Sequence, residues 1–320
     1  MIPFDVAYTS ITGNKRRMME ARGKGTSGAE RIRLHYPDIV SAPKFKLSKD
    51  DTFFTIGSCF ARNVEIALAD LGVKNITADC AIPGEFYELT GLGARNGALN
   101  AYTPSSMRDL IRLHDMVSPE TIGLVQTADD EYVDMLVSGI KPTSGADTKS
   151  IRDKILNVYG RLPDASVVVI TLGHTEAWFD ARDNVYVNRS PSTRKLQAHG
   201  DRFKFDPISP VSAISTVDEI VNDVRRLTDG RAKVILTVSP VPLGGTWTQR
   251  DVVSANLTSK SMLIGAAVAT AEKYDFVDYY PSYELVIYGD PASTWQDDGV
   301  HIKPERVSKV IKQFAETYFA

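Results

Sequence analysis

Four short stretches of the chain are apolar or aromatic at consecutive positions: Thr52-Phe53-Phe54-Thr55-Ile56, Val167-Val168-Val169-Ile170-Thr171-Leu172, Lys233-Val234-Ile235-Leu236-Thr237-Val238 and Phe276-Val277-Asp278-Tyr279-Tyr280. Runs this short and this rich in β-branched residues predict strands buried on both faces. Between them the apolar positions recur with a helical period. Phe60, Val64, Ala67, Leu68 and Leu71 mark a helix over 60–71 that Gly72 stops. Thr103-Pro104 opens another, with proline at the first helical position, where its missing N–H is harmless. Further helices are expected over 149–160, 212–228, about 254–273 and about 304–319. Strands alternating with helices of this length need right-handed crossovers, which build a parallel sheet covered on both faces.

Three stretches depart from that rhythm. Residues 182–207 read as an inserted hairpin or lid. Residues 80–102, rich in glycine and carrying Asn96 and Asn100, read as a long loop of the kind that is often functional. Residues 1–45 show little periodicity, and Lys15 to Arg33 holds seven basic and two acidic residues. A solvated extension is the plainer reading of such a charge run, and an arm that binds an anionic ligand is the sharper one. The expected organisation is therefore an extension over 1–45 and one α/β domain over 46–320.

Composition narrows the function classes. A net charge of −3 gives no electrostatic footing for nucleic acid. The start Met1-Ile2-Pro3-Phe4-Asp5 has no basic residue and no apolar run behind it, so no export signal is expected. No window approaches the ~20 apolar residues of a membrane span. The reading is a cytoplasmic protein whose two cysteines, Cys59 and Cys80, are free thiols. The five histidines are scattered without finger-like spacing, so neither a metal nor another cofactor is expected.

In open parallel sheets ligands bind beyond the carboxyl ends of the strands, so the residues that follow each strand carry the candidate chemistry. After the first strand comes Gly57-Ser58-Cys59. The glycine permits a sharp turn, and Ser58 and Cys59 then open a helix whose N–H groups and dipole favour a thiolate or an oxyanion. A thiol so placed is expected below its usual pKa of about 8.5. The plain alternative makes Ser58 a helix cap and Cys59 a small buried residue. Before the last helix, Asp298-Gly299-Val300-His301 sets an aspartate where it can orient an imidazole as a proton acceptor. Gly173, His174 and Glu176 follow the central strand, with Trp178 beyond them as pocket wall or packing. Tyr283 and Glu284 follow the last strand.

Several separated blocks resemble one family. Ile56-Gly57-Ser58-Cys59-Phe60-Ala61 is similar to the signature of the GSCFA family, which in turn resembles the SGNH (GDSL-like) hydrolases. Asn100-Ala101-Tyr102-Thr103-Pro104, Ile170 through Trp178, Thr237 through Pro242, Ala255-Asn256, Ser259-Lys260-Ser261 and Tyr280 through Glu284 agree in order, over roughly residues 50–318. The resemblance implies a three-layer αβα sandwich with a central parallel sheet, flavodoxin-like or SGNH hydrolase-like. It implies an esterase or acyltransferase working through a covalent acyl-enzyme. Laid on the superfamily's Gly-Asp-Ser block, Cys59 takes the nucleophile's place and Ser58 the aspartate's, with Ser58 as the alternative nucleophile; His301 becomes the general base and Asp298 its orienter. An acylated small molecule or carbohydrate is the expected substrate, with acetyl-CoA or another acyl donor as a co-substrate. One departure stands out. The superfamily's Gly-x-Asn-Asp block reads Gly173-His174-Thr175-Glu176, which removes the asparagine that stabilises an oxyanion. Asn100 or Asn63 is the candidate to replace it, and Asn100, Gly173, His174, Glu176 and Tyr283 are the expected substrate contacts. The alternative is a ligand-binding or regulatory module on a degenerate hydrolase fold.

Overall fold

The computed structural model describes residues 1–12, 15–20, 27–89 and 97–319. A five-stranded sheet runs through the middle, with every neighbouring pair parallel. Its strands are β1 (Thr52–Gly57), β2 (Lys74–Asn75), β5 (Val167–Leu172), β9 (Lys233–Val238) and β10 (Val277–Tyr280), in the order β10-β9-β5-β1-β2. The chain thus starts near the middle, steps to one edge, and returns across β1 to build outward on the other side. The reversal falls between β1 and β5, where such sheets open a crevice.

Side chains alternate across this sheet and split the core in two. Phe54 and Ile56 of β1, Val168, Ile170 and Leu172 of β5, and Val234, Leu236 and Val238 of β9 point to one face. Phe53, Val167, Val169 and Ile235 point to the other. Two short helices, α1 (Phe4–Thr12) and α2 (Gly28–Arg31), precede the sheet. The first face is covered by α4 (Pro104–Arg112), α5 (Gly145–Gly160), α7 (Pro210–Leu227) and α8 (Val252–Lys273). The second is covered by α3 (Cys59–Asp70), α9 (Ser282–Ile287) and α11 (Pro304–Tyr318); the single-turn α6 (Arg194–Gln197) and α10 (Pro291–Thr294) lie in connections. This is a three-layer α/β/α sandwich.

The strand and helix positions read from the hydrophobic pattern agree with these elements to within a few residues. Three differences have physical reasons. The insertion is a three-stranded antiparallel sheet, β7-β6-β8, formed by β6 (Glu176–Asp180), β7 (Val185–Val187) and β8 (Phe203–Pro207). It begins at Glu176, ahead of the expected 182, because β6 follows β5 after only Gly173-His174-Thr175. A further hairpin, β3 (Leu124–Ala128) with β4 (Glu131–Asp134), turns at Asp129-Asp130, with Asp130 at φ 45°. Its strands are short and largely polar outside, so no apolar run announces it. Within residues 35–47, the backbone docks along the second helical layer and the C-terminal end of α8. Arg306 donates to the His35 carbonyl at 2.7 Å, Gln313 to Ile39 at 2.6 Å, and Lys44 to Tyr274 at 2.9 Å. Asn96 and the rest of 90–96 lie outside the described residues.

Helix α8 is long and apolar enough to cross a membrane by length and composition, the one such helix among the described residues. In the fold it packs on α7, β9 and β10. Its apolar face is therefore one a core helix also needs.

The buried pair Asp134–Arg152 ties β4 to α5. The guanidinium is fully buried and donates through Nε at 2.9 Å and Nη2 at 2.5 Å to the two carboxylate oxygens. Asp134→Ala leaves that charge without its partner and is expected to lower stability by about 3–5 kcal/mol, read from urea unfolding.

Candidate functional site

The site is built where β1 and β5 end side by side. Gly57 pairs with Thr171 in parallel register and has φ 146°, a conformation that side chains rarely adopt. A Cβ there would lie 2.4 Å from the Thr171 carbonyl oxygen. The absence of a side chain lets the chain turn sharply into α3. A second close approach follows β5: a Cβ on Gly173 would lie 2.6 Å from the Tyr102 carbonyl oxygen, which accepts the N–H groups of both Gly173 and His174. Backbone packed against backbone thus fixes the segments that carry Cys59, Tyr102 and His174.

A cavity of about 280 Å³ opens over these ends. Ser58 and Cys59 line it from α3, Tyr102 and Thr103 from the start of α4, and Gly173, His174, Glu176 and Trp178 from the β5–β6 segment. Asn188, Arg189 and Ser190 close one side; Ser239 and the loop Val241–Trp247 close another, with Lys260 of α8 at depth. Glu176 holds that loop, accepting hydrogen bonds from Thr246 Oγ1 at 2.5 Å and the Trp247 N–H at 2.7 Å. Trp247 meets Trp178 edge to face, with centroids 5.2 Å apart. Arg189 is engaged by Glu88 and by the Ile140 carbonyl.

Cys59 is the first residue of α3 and is half-buried. The backbone N–H groups of Cys59 and Phe60 favour negative charge on its sulfur. Burial nevertheless pushes its thiol pKa up, against the pull of Lys260, those N–H groups and Arg62. The helix terminus alone therefore does not deliver the lowered thiol expected from the sequence. Ser58 occupies the cap position, yet its side chain makes no cap bond and its buried Oγ has no partner. His174 stacks on Tyr102 at 5.8 Å, and burial, followed by the Lys260 charge, pulls its imidazole down to about 3. It stands neutral, with Nδ1 buried and unpartnered. Trp178 Nε1, Asn100 Oδ1 and Thr171 Oγ1 are also unpartnered. Unsatisfied buried polar atoms are uncommon in native structures, and three of those found among the described residues, on Ser58, His174 and Trp178, belong to side chains that line this cavity.

Lys260 is almost wholly buried, and its Nζ donates to the Gly173 and Val241 carbonyls, both at 2.7 Å. Among the described residues no carboxylate lies in ion-pair range of it. The sequence carried a sign of this. Lys260, Leu263, Ala267 and Ala271 share the buried stripe of α8, and a lysine on such a stripe is rarely idle. Tyr102, Val241 and Pro242 lay in the blocks that resemble the GSCFA pattern, whereas Asn188, Arg189 and the stretch from Leu243 to Trp247 had no comparable signal, because they come together only through the fold.

Of the residues singled out from the sequence, Ser58, Cys59, Gly173, His174, Glu176 and Trp178 share the cavity. Asn100 stands behind it: its backbone bridges to Gly57 and its Nδ2 donates to the Tyr102 hydroxyl at 3.5 Å. Tyr283 packs in the first core, and Glu284 accepts from the Tyr279 hydroxyl at 2.8 Å. Asp298 and His301 form the expected pair, with Nδ1 2.5 Å from Oδ2 and with the Val300 and His301 N–H groups donating to Oδ1 at 2.9 Å. The His301 hydrogen bond and those N–H groups hold the Asp298 carboxyl down to about 2. The pair does not line the cavity. The His301 side chain is 66% exposed, and Asp298 edges a separate shallow depression with Gln296, Asp297 and Lys303. Among the described residues no group of side chains could hold a metal ion.

Two outcomes follow from this geometry. Gly57→Ala introduces both backbone strain and overlap with Thr171, and is expected to lower stability by about 3 kcal/mol or more in urea unfolding. His174 titrates near 6.5 when unfolded and near 3 when folded, so between those values the unfolded state binds more protons. Its contribution is intact above pH 6.5 and declines on acidification toward 3, at most about 1.4 kcal/mol per pH unit. His174→Gln is expected to flatten the stability–pH curve in that window.

No curated protein matches the chain. The GSCFA family matches it from residue 52 to residue 314, the whole stretch from β1 into α11. On that extent the chain belongs to the GSCFA family.

Proposed function

We propose that this protein transfers or hydrolyses acyl groups through a covalent intermediate on Cys59. The observation that carries the reading is Cys59 at the N-terminus of α3, in a cavity at the carboxyl edge of a parallel sheet. Sulfur attacks the carbonyl of an ester or thioester, the leaving group departs, and water or an alcohol releases the acyl group from the resulting thioester. The Cys59 and Phe60 N–H groups favour negative charge at the attacking sulfur. Where SGNH enzymes carry an oxyanion-holding asparagine this chain has Thr175, whose N–H is already given to Ser259 Oγ at 2.9 Å. Asn100, whose backbone bridges to Gly57, and Asn63 of α3 are the amide candidates. Two groups are available to handle the proton: the Asp298–His301 pair at the surface and Lys260 inside.

The two tryptophans suit a sugar ring against the cavity wall, so an acylated carbohydrate fits as substrate, with acetyl-CoA as an alternative acyl donor. One observation favours a second reading, a ligand-binding module without turnover. The Asp298–His301 pair is assembled but lies off the cavity that holds Cys59.

Intact mass after incubation with p-nitrophenyl acetate and, separately, acetyl-CoA, followed by peptide mapping, separates these readings. One acetyl group on Cys59, lost in Cys59→Ala, is the expected result. The adduct on Ser58 instead would move the nucleophile by one residue. No adduct from either donor would leave the binding module.

A further inference from the structure

We propose that Lys260 is the proton acceptor for Cys59, held inside the cavity by two backbone carbonyls. The inference rests on the acyl-transfer reading and deepens it. A neutral amine has two N–H donors and one lone pair. Gly173 and Val241 take two donors at 2.7 Å each, and among the described residues no third acceptor bonds Nζ. The arrangement satisfies an amine in full and an ammonium only in part. It leaves the fourth direction at nitrogen for a lone pair, on a side chain that lines the same cavity as Cys59.

Charge agrees with the geometry. Burial pulls the Lys260 ammonium down to about 7, opposed only by Cys59. Neutral and charged forms are then both populated near neutrality, which a proton acceptor requires. The other titratable groups nearby are occupied or inert. His174 is neutral, the Tyr102 hydroxyl is bonded to Ser138 at 2.9 Å and raised by burial, Glu176 holds the Trp247 loop, Arg189 is paired with Glu88, and Arg62 is paired with Glu65.

The step balances. The Cys59 S–H bond breaks and its proton moves to Lys260 Nζ, giving thiolate and ammonium. The thiolate forms a bond to the acyl carbon, and the bond from that carbon to the leaving oxygen or sulfur breaks. The ammonium returns the proton to the leaving group. In the second half Lys260 takes a proton from the incoming water or alcohol and returns it to the departing Cys59 sulfur. Thiol and amine titrate as a pair, and the first proton lost from the pair generates the reactive form.

The test is the rate of iodoacetamide alkylation at Cys59, mapped by peptide to exclude Cys80, as a function of pH. It needs no acyl substrate, so it is independent of whether the acetyl adduct forms. Wild-type protein is expected to rise through an inflection near pH 7, level off, and rise again where the isolated thiol ionises. Lys260→Met is expected to lose the inflection and to react roughly tenfold or more slowly near neutral pH, with one pKa unit or more of thiolate lost. A wild-type profile with no rise near neutrality overturns the proposal, whatever the variant's stability. So does an unchanged inflection in folded Lys260→Met, or its loss in His301→Ala while Lys260→Met keeps it. A normal inflection without an acetyl adduct keeps the Lys260–Cys59 pair and removes the acyl substrate.

Discussion

Two backbone segments, at Gly57 and at Gly173, approach others more closely than a side chain allows, and the candidate site depends on both contacts. At Gly57 the end of β1 lies against Thr171 of β5, so the chain must turn at once into α3. At Gly173 the exit of β5 lies against Tyr102, which brings the start of α4 to the same edge. Close packing transmits such constraints, because interiors offer few voids into which a displaced segment could relax. Cys59, Tyr102 and His174 inherit their positions from these contacts, and the remaining wall is added around them.

That wall is assembled from far along the chain. Ser259 and Lys260 of α8 hold the turn after β5, one through the Thr175 N–H and the other through the Gly173 carbonyl. Lys260 also reaches Val241, and Glu176 ties the Val241–Trp247 loop to β6. A buried cation without a carboxylate would be costly in a purely structural role, because desolvation of an ammonium exceeds what two neutral carbonyls return. The cost falls when the group gives up its proton, which is the state that a neighbouring thiol can use. Stability and chemistry therefore meet in one side chain.

Near the site, burial rather than the helix terminus dominates the electrostatics. It raises the Cys59 thiol, lowers the His174 imidazole and lowers the Lys260 ammonium. In each case the neutral form is favoured, while Glu176 and Arg189 on the cavity wall are held by the Trp247 N–H and by Glu88. A low-dielectric cavity of this kind makes any charge generated within it felt strongly by its neighbours. At the surface the Asp298–His301 pair follows the opposite rule, with hydrogen bonds holding the aspartate charged.

The sequence by itself determined the layered fold. Consecutive apolar positions such as Val167–Leu172 and helical stripes such as Phe60, Val64 and Leu68 report burial through local periodicity, which needs no knowledge of partners. It also marked Gly57-Ser58-Cys59 and Asp298-Gly299-Val300-His301, because short spacing fixes local geometry: the turn into α3 and the aspartate–histidine hydrogen bond are both contacts within a few residues. Residue pattern said much less where strands are short and polar, as in β3–β4. Only the tertiary structure decided which distant groups share a cavity. It joined Cys59 to Lys260, two hundred positions apart, left His301 outside, and drew Trp178 and Trp247 together. Those relations depend on strand order and on the path of loops between elements. Neither leaves a periodic trace in the chain, since the physical cause is packing between surfaces that meet only after folding.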